Sequence, residues 1–262
     1  MKPSIFEICD DDQLPPLSLL EDCIRSSGLV VMSGVSLHPN ELLKFAQQFG
    51  ELEPAWEDEH PEYEFLQLMD SDTKVQTQQK SSSRYWHTDR SFVSRPSWLT
   101  LLYAELVVGK TTPTEFIDAR SLASTVIEEN SINPEETYAT HSFAKVFPSV
   151  MIEKGQSEEK VSKQIALYPD VQHPFFTHDI NGVPSIYFNE LCVTELHGPG
   201  ISDSDKAIGS VLDAIRRSES YVHSWNSGDL LIWDNFRVVH RASMQPTTGR
   251  RRYIRSTVGT KP

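Results

Sequence analysis

The segment Leu230-Leu231-Ile232-Trp233-Asp234-Asn235 opens with four consecutive apolar residues, a composition that favours a buried β-strand. Similar short runs of β-forming residues recur along the chain and predict further strands. They are Leu29 to Met32, Phe65 to Met69, Leu99 to Leu106, Phe116 to Ile117, Ser185 to Phe188 and Arg251 to Val258. Strands are therefore expected to dominate the middle and the end of the chain.

Two other segments show apolar residues at helical spacing. The first runs from Leu42 to Phe49, after Pro39 and before Gly50. The second follows Asp203, and its buried stripe is expected to contain Ile208, Val211, Leu212 and Ile215. Many short strands with few helices favour a mainly β fold with flanking helices, of the double-stranded β-helix or jelly-roll type, over a parallel α/β sheet.

Length, charge and composition limit the class of protein. A chain of 262 residues with 38% hydrophobic residues can bury one sizeable core, so we expect a single domain over residues 1–262. The formal net charge of -13 would repel a phosphate backbone, which argues against nucleic acid as the main partner. The N-terminus lacks the pattern of a signal peptide, and no run of about 18 apolar residues predicts a membrane span. We therefore expect a cytoplasmic protein without membrane contacts.

Three cysteines and two polar stretches complete this outline. Cys9, Cys23 and Cys192 are scattered and lack metal-ligand spacing, so free thiols are expected rather than disulfides or a zinc site. The stretches from Ser71 to Arg84 and from Lys154 to Lys163 carry few apolar residues. They are candidates for mobile loops or lids over a pocket.

A histidine and a carboxylate stand two residues apart in Tyr85-Trp86-His87-Thr88-Asp89. On a strand this spacing places both side chains on one face, where they can occupy adjacent positions on one metal ion. A third histidine from a distant strand would complete the 2-His-1-carboxylate facial triad of non-haem iron. His240 is the candidate, because it follows the 230–235 segment and is expected at the mouth of a strand. Most His-x-Asp pairs are surface residues or local hydrogen bonds, so this pair alone is weak evidence for a metal.

Arginines follow the third histidine. Arg251, Tyr253, Arg255 and Thr257 alternate along the last predicted strand, so two guanidinium groups share one face. A guanidinium binds a carboxylate through two parallel hydrogen bonds, as holding the distal carboxylate of 2-oxoglutarate would require. The two Cα atoms should lie roughly 13 Å apart on an extended strand, so the arginines are expected to serve two different anionic groups. The alternative is a solvated basic strand edge.

The order and spacing of several motifs resemble the taurine dioxygenase family of iron- and 2-oxoglutarate-dependent oxygenases, nearly end to end. The motifs are Phe49-Gly50-Glu51-Leu52, Trp86-His87-Thr88-Asp89, Thr114-Glu115-Phe116, His141-Ser142-Phe143, Phe147-Pro148, His173-Pro174, Tyr187-Phe188-Asn189 and Trp233-Asp234-Asn235. The resemblance implies that Fe(II) is bound by His87, Asp89 and His240. It further implies that Thr114 and Arg251 hold the distal carboxylate of the co-substrate 2-oxoglutarate, with dioxygen as the oxidant.

The same resemblance indicates a substrate pocket that contains His60, Phe92, Phe147 and Arg255. Arg255 matches the family arginine that faces an anionic group, which implies a small anionic or zwitterionic substrate. His60 is equally consistent with a solvated loop histidine, and Phe92 and Phe147 with ordinary core aromatics. The residues before Trp86 differ from the asparagine-rich turn of the taurine enzyme, so taurine is not the expected substrate. A homo-oligomer is implied by the resemblance alone.

Hydroxylation of a C–H bond, with release of succinate and CO2, is the reaction that the resemblance implies by default. Asp89 stands where halogenating relatives carry a small residue, which argues against halogenation. Desaturation, cyclisation and C–X bond cleavage, as in natural-product biosynthesis, use the same cofactors and stay open. Two other classes also stay open, namely a non-catalytic jelly roll that binds a metal or ligand and a metal-free interaction module.

Overall fold

The computed structural model describes residues 1–9, 13–55, 58–71, 82–130, 132–153, 155–245 and 249–259. Its largest element is a seven-stranded sheet, called the main sheet below, in which β1 and β2 run parallel and the other neighbours antiparallel. With strands numbered in chain order, its spatial order is β1 (Ser4–Glu7), β2 (Leu29–Ser33), β13 (Leu230–Asp234), β5 (Leu99–Val108), β15 (Arg250–Val258), β4 (Tyr63–Asp70) and β3 (Glu59–His60).

Three smaller antiparallel sheets accompany the main sheet. In spatial order, the first contains β12 (Tyr221–His223), β6 (Thr114–Asp118) and β14 (Val238–Ala242). The second contains β11 (Val193–His197), β7 (Tyr138–His141) and β8 (Val171–Pro174), and the third β10 (Pro184–Ile186) and β9 (Phe176–His178). The prediction of a mainly β protein with flanking helices is confirmed.

The helices of the described ranges are α1 (Leu17–Ser27), α2 (Pro39–Gln47), α3 (Ala119–Asn130), α4 (Phe147–Glu153), α5 (Glu158–Leu167) and α6 (Ser204–Arg217). Helices α2 and α6 confirm the two helices predicted from apolar spacing. Asp203 caps α6 by accepting a hydrogen bond from the backbone N–H of Lys206. None of these helices combines the length and apolar composition that crossing a membrane requires.

The prediction of a mobile loop from Lys154 to Lys163 is wrong, because α5 occupies most of that stretch. The polar composition reflects a helix that buries only Val161 in its described part and exposes most of its surface. The Ser157 hydroxyl caps it by accepting from the N–H of Lys160. In the other polar stretch, residues 72–81 lie outside the described residues, and Ser82–Arg84 form a short 3-10 helix.

Apolar packing covers both faces of the main sheet. On one face, Ile232 packs with the helix residues Ile24 and Phe45. On the other face, Leu231 and Trp233 pack with residues of the β12-β6-β14 sheet such as Phe116 and Val238. The alternation along β13 therefore sends successive side chains into different cores. Each such buried side chain contributes about 1.5–3 kcal/mol to stability.

The predicted strand bounds are close to those observed, with one difference. A strand is predicted from Ser185 to Phe188, but the observed strand β10 ends at Ile186. Beyond it, Tyr187 donates its N–H to Phe175, and Phe188 accepts at its carbonyl oxygen from the N–H of Thr88. The chain turns at this point to support the segment that carries His87.

Candidate metal centre and substrate pocket

His87 and His240 are joined by a pair of backbone hydrogen bonds. The His87 N–H donates to the His240 oxygen at 3.0 Å, and the His240 N–H donates to the His87 oxygen at 2.9 Å. His240 is the central residue of β14, so the prediction that it lies at a strand mouth is wrong. The expected strand around His87 is also wrong, because His87 makes only isolated bridges and Asp89 lies in a turn. Pairing with β14, rather than alternation along a strand, brings the side chains together.

The ligand atoms of His87, Asp89 and His240 face a common space. Asp89 Oδ1 lies 3.8 Å from His87 Nε2 and 3.7 Å from His240 Nε2. One ligand atom of each residue lies within 4.8 Å of the others, and in the described part of the chain this is the one such group of His, Cys, Asp or Glu side chains. These separations are too long for hydrogen bonds. Two imidazoles and a carboxylate are the donor set of a facial-triad iron site, so the residues present fit that metal.

Both imidazoles have the neutral form that metal binding requires. His87 Nδ1 lies 2.7 Å from the Tyr85 carbonyl oxygen, which can only accept, so Nδ1 carries the proton and Nε2 keeps its lone pair. Burial lowers the pKa of His87, and burial together with the repulsion that a protonated His87 would add lowers the pKa of His240 to about 3. The His240 ring is held against Phe116 and Trp233, with ring centres 5.8 and 4.9 Å away.

A buried hydrogen-bond network fixes the carboxylate of Asp89. Thr100 donates its hydroxyl to Asp89 Oδ2 at 2.6 Å and accepts from Asn235 Nδ2 at 3.0 Å. The Asn235 Oδ1 atom accepts from the N–H of Asp89 at 3.2 Å. Burial alone would raise the pKa of Asp89, but the charge of Arg255, and the charges that His240 and His87 would carry if protonated, outweigh it and lower that pKa. Asp89 is therefore ionised, and its Oδ1 faces both the two histidines and the Arg255 guanidinium.

The arginines of β15 lie as their alternation predicts. Arg255 Nη2 is 2.8 Å from Asp89 Oδ1, beside the histidines. Arg252 faces the other way and pairs with Asp70 at 2.8 Å. The pairing of β15 with β5 contains a β-bulge, in which Glu105 of β5 is the extra residue. Strand β15 itself is therefore regular, and its side chains alternate without interruption. A wholly solvated basic edge does not describe Arg255, whose side chain is only 17% exposed.

Arg251 and Thr114 are linked through two aromatic residues. The Arg251 guanidinium lies over the Tyr253 ring at 5.5 Å, and that ring packs on Trp225 with centres 4.8 Å apart. Trp225 Nε1 donates to Thr114 Oγ1 at 2.9 Å. Since Thr114 pairs with Ala242 in β14, this group lies two strand positions from His240.

The model of the family described as "Taurine catabolism dioxygenase TauD, TfdA family" matches residues 10–257. The chain belongs to this family. Curated proteins that resemble this chain share low identity with it. The alpha-ketoglutarate-dependent 2,4-dichlorophenoxyacetate dioxygenase of Burkholderia sp. (strain RASC) is 24% identical, over 91% of this chain and 84% of the relative. Pentalenolactone F synthase of Streptomyces arenae is 27% identical, over 66% of this chain and 60% of the relative.

Solved structures show the same architecture. The crystal structure of AAD-2 in complex with Mn(II) and N-oxalylglycine superposes with a TM-score of 0.74 at 21% identity, covering 96% of this chain and 90% of that chain. This likeness in fold confirms the predicted jelly roll. The resemblance seen in the sequence motifs is confirmed by the family match, and this TauD/TfdA family member is a dioxygenase.

The remaining substrate candidates of this family member lie in two places. The His60 ring packs on Tyr63 at 5.0 Å, and its Nδ1 accepts from the N–H of Glu62 at 3.2 Å, on the edge strand β3. Phe92 and Phe147 pack on each other at 5.0 Å within an aromatic cluster beside α4 and α5. Their roles in substrate binding stay predictions.

Residues that sequence reasoning did not single out complete the centre. Thr100 and Asn235 orient Asp89, and only Asn235 had a signal, namely its place in a motif directly after a predicted strand. Glu53 and Arg90 form an ion pair of 3.1 Å next to Arg255. Because 37 positions separate them in the sequence, no local pattern could have indicated that pair.

Proposed function

We propose that this dioxygenase uses Fe(II), 2-oxoglutarate and dioxygen to hydroxylate a C–H bond of a small anionic or zwitterionic metabolite, releasing succinate and CO2. The observation that carries the proposal is the convergence of His87, Asp89 and His240 in a member of this family. When bound, iron(II) supplies the redox chemistry that couples decarboxylation of the keto acid to oxidation of the substrate. The protein's part is to bind, orient and exclude water.

The three metal-facing residues are suited to hold the cation without competition from protons. The imidazole pKa values are lowered by burial, and the pKa of Asp89 is lowered by neighbouring positive charge. At neutral pH the group therefore offers two lone pairs and one negative charge. His87, Asp89 and His240 would hold the metal and would leave it able to bind 2-oxoglutarate and dioxygen as well.

Thr114 and Arg251 are the proposed partners of the distal carboxylate of 2-oxoglutarate. The Thr114 oxygen accepts from Trp225, so its own hydroxyl proton can point to an acceptor in the pocket. Tyr253 supports the Arg251 guanidinium from one side, which leaves the planar fork to bind a carboxylate. This pair of residues would set the register of the keto acid relative to the metal.

Arg255 is the proposed partner of the anionic group on the substrate. Its guanidinium adjoins the metal centre, and its Nε is buried without a hydrogen-bond partner among the described residues. The relative that acts on 2,4-dichlorophenoxyacetate has a small carboxylate substrate by its name, which supports this substrate class. Positioning decides which carbon reacts, so desaturation, cyclisation or C–X cleavage would follow from a different pose in the same site.

The test is anaerobic addition of Fe(II) and then 2-oxoglutarate, recording the weak visible charge-transfer band of a chelated keto acid. Wild type is expected to show the band, Asp89→Ala to lose it, and Arg251→Ala to need at least about ten-fold more 2-oxoglutarate. Arg252→Ala is the matched control, since this neighbouring arginine pairs with Asp70 on the opposite face. Folded wild type without a band would overturn the proposal and favour a non-catalytic jelly roll.

A further inference from the structure

A second arginine lines the pocket that adjoins the metal centre. The pocket is bounded by Glu53, Gln67, Arg90 and Arg255, among other residues. Arg255 also lies 2.8 Å from the metal-facing oxygen of Asp89, so this small pocket shares Arg255 with the metal centre. Arg90 directly follows Asp89 in the chain and is not one of the residues that the family resemblance assigns to a role.

The backbone at Arg90 turns its side chain into this pocket. Its φ of 52° lies in the left-handed region, which residues other than glycine rarely adopt. The side chain is only 14% exposed, and its Nη1 donates to the Pro54 carbonyl oxygen at 3.2 Å and pairs with Glu53 Oε2 at 3.1 Å. Glu53 is in turn fixed by the hydroxyl of Ser97. An uncommon conformation held by several contacts points to a function of the side chain it presents.

The pocket contains more hydrogen-bond donors than acceptors. Nε of Arg90 and Nε of Arg255 are buried and have no hydrogen-bond partner in the described part of the chain, whereas Nη2 of Arg255 is paired with Asp89 Oδ1 at 2.8 Å. Buried guanidinium N–H groups are costly to leave unpaired, so their natural complement is a ligand with several acceptor oxygens. Once Asp89 binds a metal, its negative charge no longer neutralises Arg255. Arg90 and Arg255 then carry two positive charges, and Glu53 supplies one negative charge. The remaining charge complements one anionic group.

We propose that Arg90 and Arg255 together bind the anionic group of the primary substrate, a carboxylate, sulfonate or sulfate, with Glu53 holding Arg90 in place. The inference rests on the proposed function and extends it, because it adds a specificity-determining residue next to the metal ligand Asp89. Two guanidinium groups on one anion discriminate strongly against a neutral analogue of the same shape. The substrate is thus selected by its charge.

The experiment measures binding to the full chain loaded with Mn(II) and N-oxalylglycine, so that no turnover occurs. The probes are 2,4-dichlorophenoxyacetate, hexanesulfonate and hexyl sulfate, each compared with its neutral alcohol by titration calorimetry. Wild type is expected to bind at least one anionic probe and to bind its alcohol at least about ten-fold more weakly. Arg90→Gln should weaken the anionic probe by about ten- to a hundred-fold, and Arg90→Lys should restore part of that loss.

Arg241→Gln is the matched control. Arg241 directly follows the metal-facing His240 as Arg90 follows Asp89, and it also pairs with a glutamate, Glu115, at 2.8 Å. Equal anion affinity in wild type and a folded, Mn(II)-binding Arg90→Gln would overturn the role of Arg90. If Arg90→Gln fails to fold, Arg90→Lys decides, and its wild-type affinity would also count against Arg90. Charge-transfer band formation without binding of any anionic probe would overturn the anion pocket alone, whereas absence of the band would overturn the proposed function.

Discussion

At the scale of single residues, the Thr100 hydroxyl connects the metal centre to the core. It donates to Asp89 Oδ2 and accepts from Asn235 Nδ2, so Thr100→Val leaves two buried polar groups without a partner while preserving side-chain shape. Loss of such an orienting contact is expected to weaken Fe(II) binding by about 10- to 100-fold. The free energy of unfolding should fall by about 1–3 kcal/mol. Anaerobic Fe(II) titration and urea unfolding measure the two effects.

Thr137→Val is the control for removal of a buried threonine hydroxyl, since Thr137 donates to the Asn133 carbonyl oxygen away from the centre. It should reduce stability without changing Fe(II) affinity. Wild-type Fe(II) affinity in Thr100→Val would show that Asp89 is oriented without this network. Sequence reasoning selected His87, Asp89 and His240, which the structure brings together, because residue type carries that signal. It missed Thr100 because an isolated threonine within an apolar strand has no distinguishing pattern.

At the scale of elements, the predictions that held were those with strong periodicity. Strand β13 and helix α6 bury continuous apolar faces, and their bounds could be predicted within a few residues. Helix α5 was missed because its first six residues, Glu158 to Lys163, contain a single apolar side chain, Val161. The segment around His87 was misassigned as a strand because its geometry comes from tertiary pairing with β14, which no local pattern records.

Strands β12 and β6 also set the position of Thr114. Thr114 is the first residue of β6, and Trp225, which binds it, lies two residues after the end of β12. Trp225→Phe keeps an aromatic ring on Tyr253 but removes the N–H that donates to Thr114 Oγ1. Because one neutral hydrogen bond is lost, 2-oxoglutarate affinity is expected to fall by about two- to ten-fold. Titration of the charge-transfer band with 2-oxoglutarate gives this value. Fe(II) affinity should stay at the wild-type value, and an equal loss of both affinities would indicate general damage to the site instead.

At the scale of the whole molecule, one largely buried ion pair joins three layers of the fold. Arg237 donates to both carboxylate oxygens of Asp118, at 3.2 and 2.7 Å, and to the carbonyl oxygen of Arg25 near the end of α1. Asp118 ends β6, and Arg237 lies between β13 and β14. Gly28, with a φ of 75°, lets the Arg237 side chain pass, because a Cβ there would lie 2.9 Å from Arg237 Cδ. The contact fixes the first smaller sheet against the main sheet and α1.

This ion pair should make stability depend on pH in a defined direction. Burial alone would raise the pKa of Asp118, but hydrogen bonds and charge from Arg237 and Arg120 outweigh it and lower that pKa. A carboxylate whose pKa is lowered by folding stabilises the protein above its unfolded pKa of about 3.9, and the contribution is lost as pH falls through the folded value. Asp118→Asn should therefore reduce the free energy of unfolding by about 3 kcal/mol at pH 7, and by progressively less below about pH 4. Urea unfolding of metal-free wild type and Asp118→Asn, at pH 7 and at one pH below about 4, measures this difference. The control is Glu159→Gln, which breaks an exposed pair with Lys163 and should leave the free energy of unfolding unchanged. If Asp118→Asn lowers the free energy of unfolding equally at both pH values, the ionised carboxylate is not what stabilises this junction.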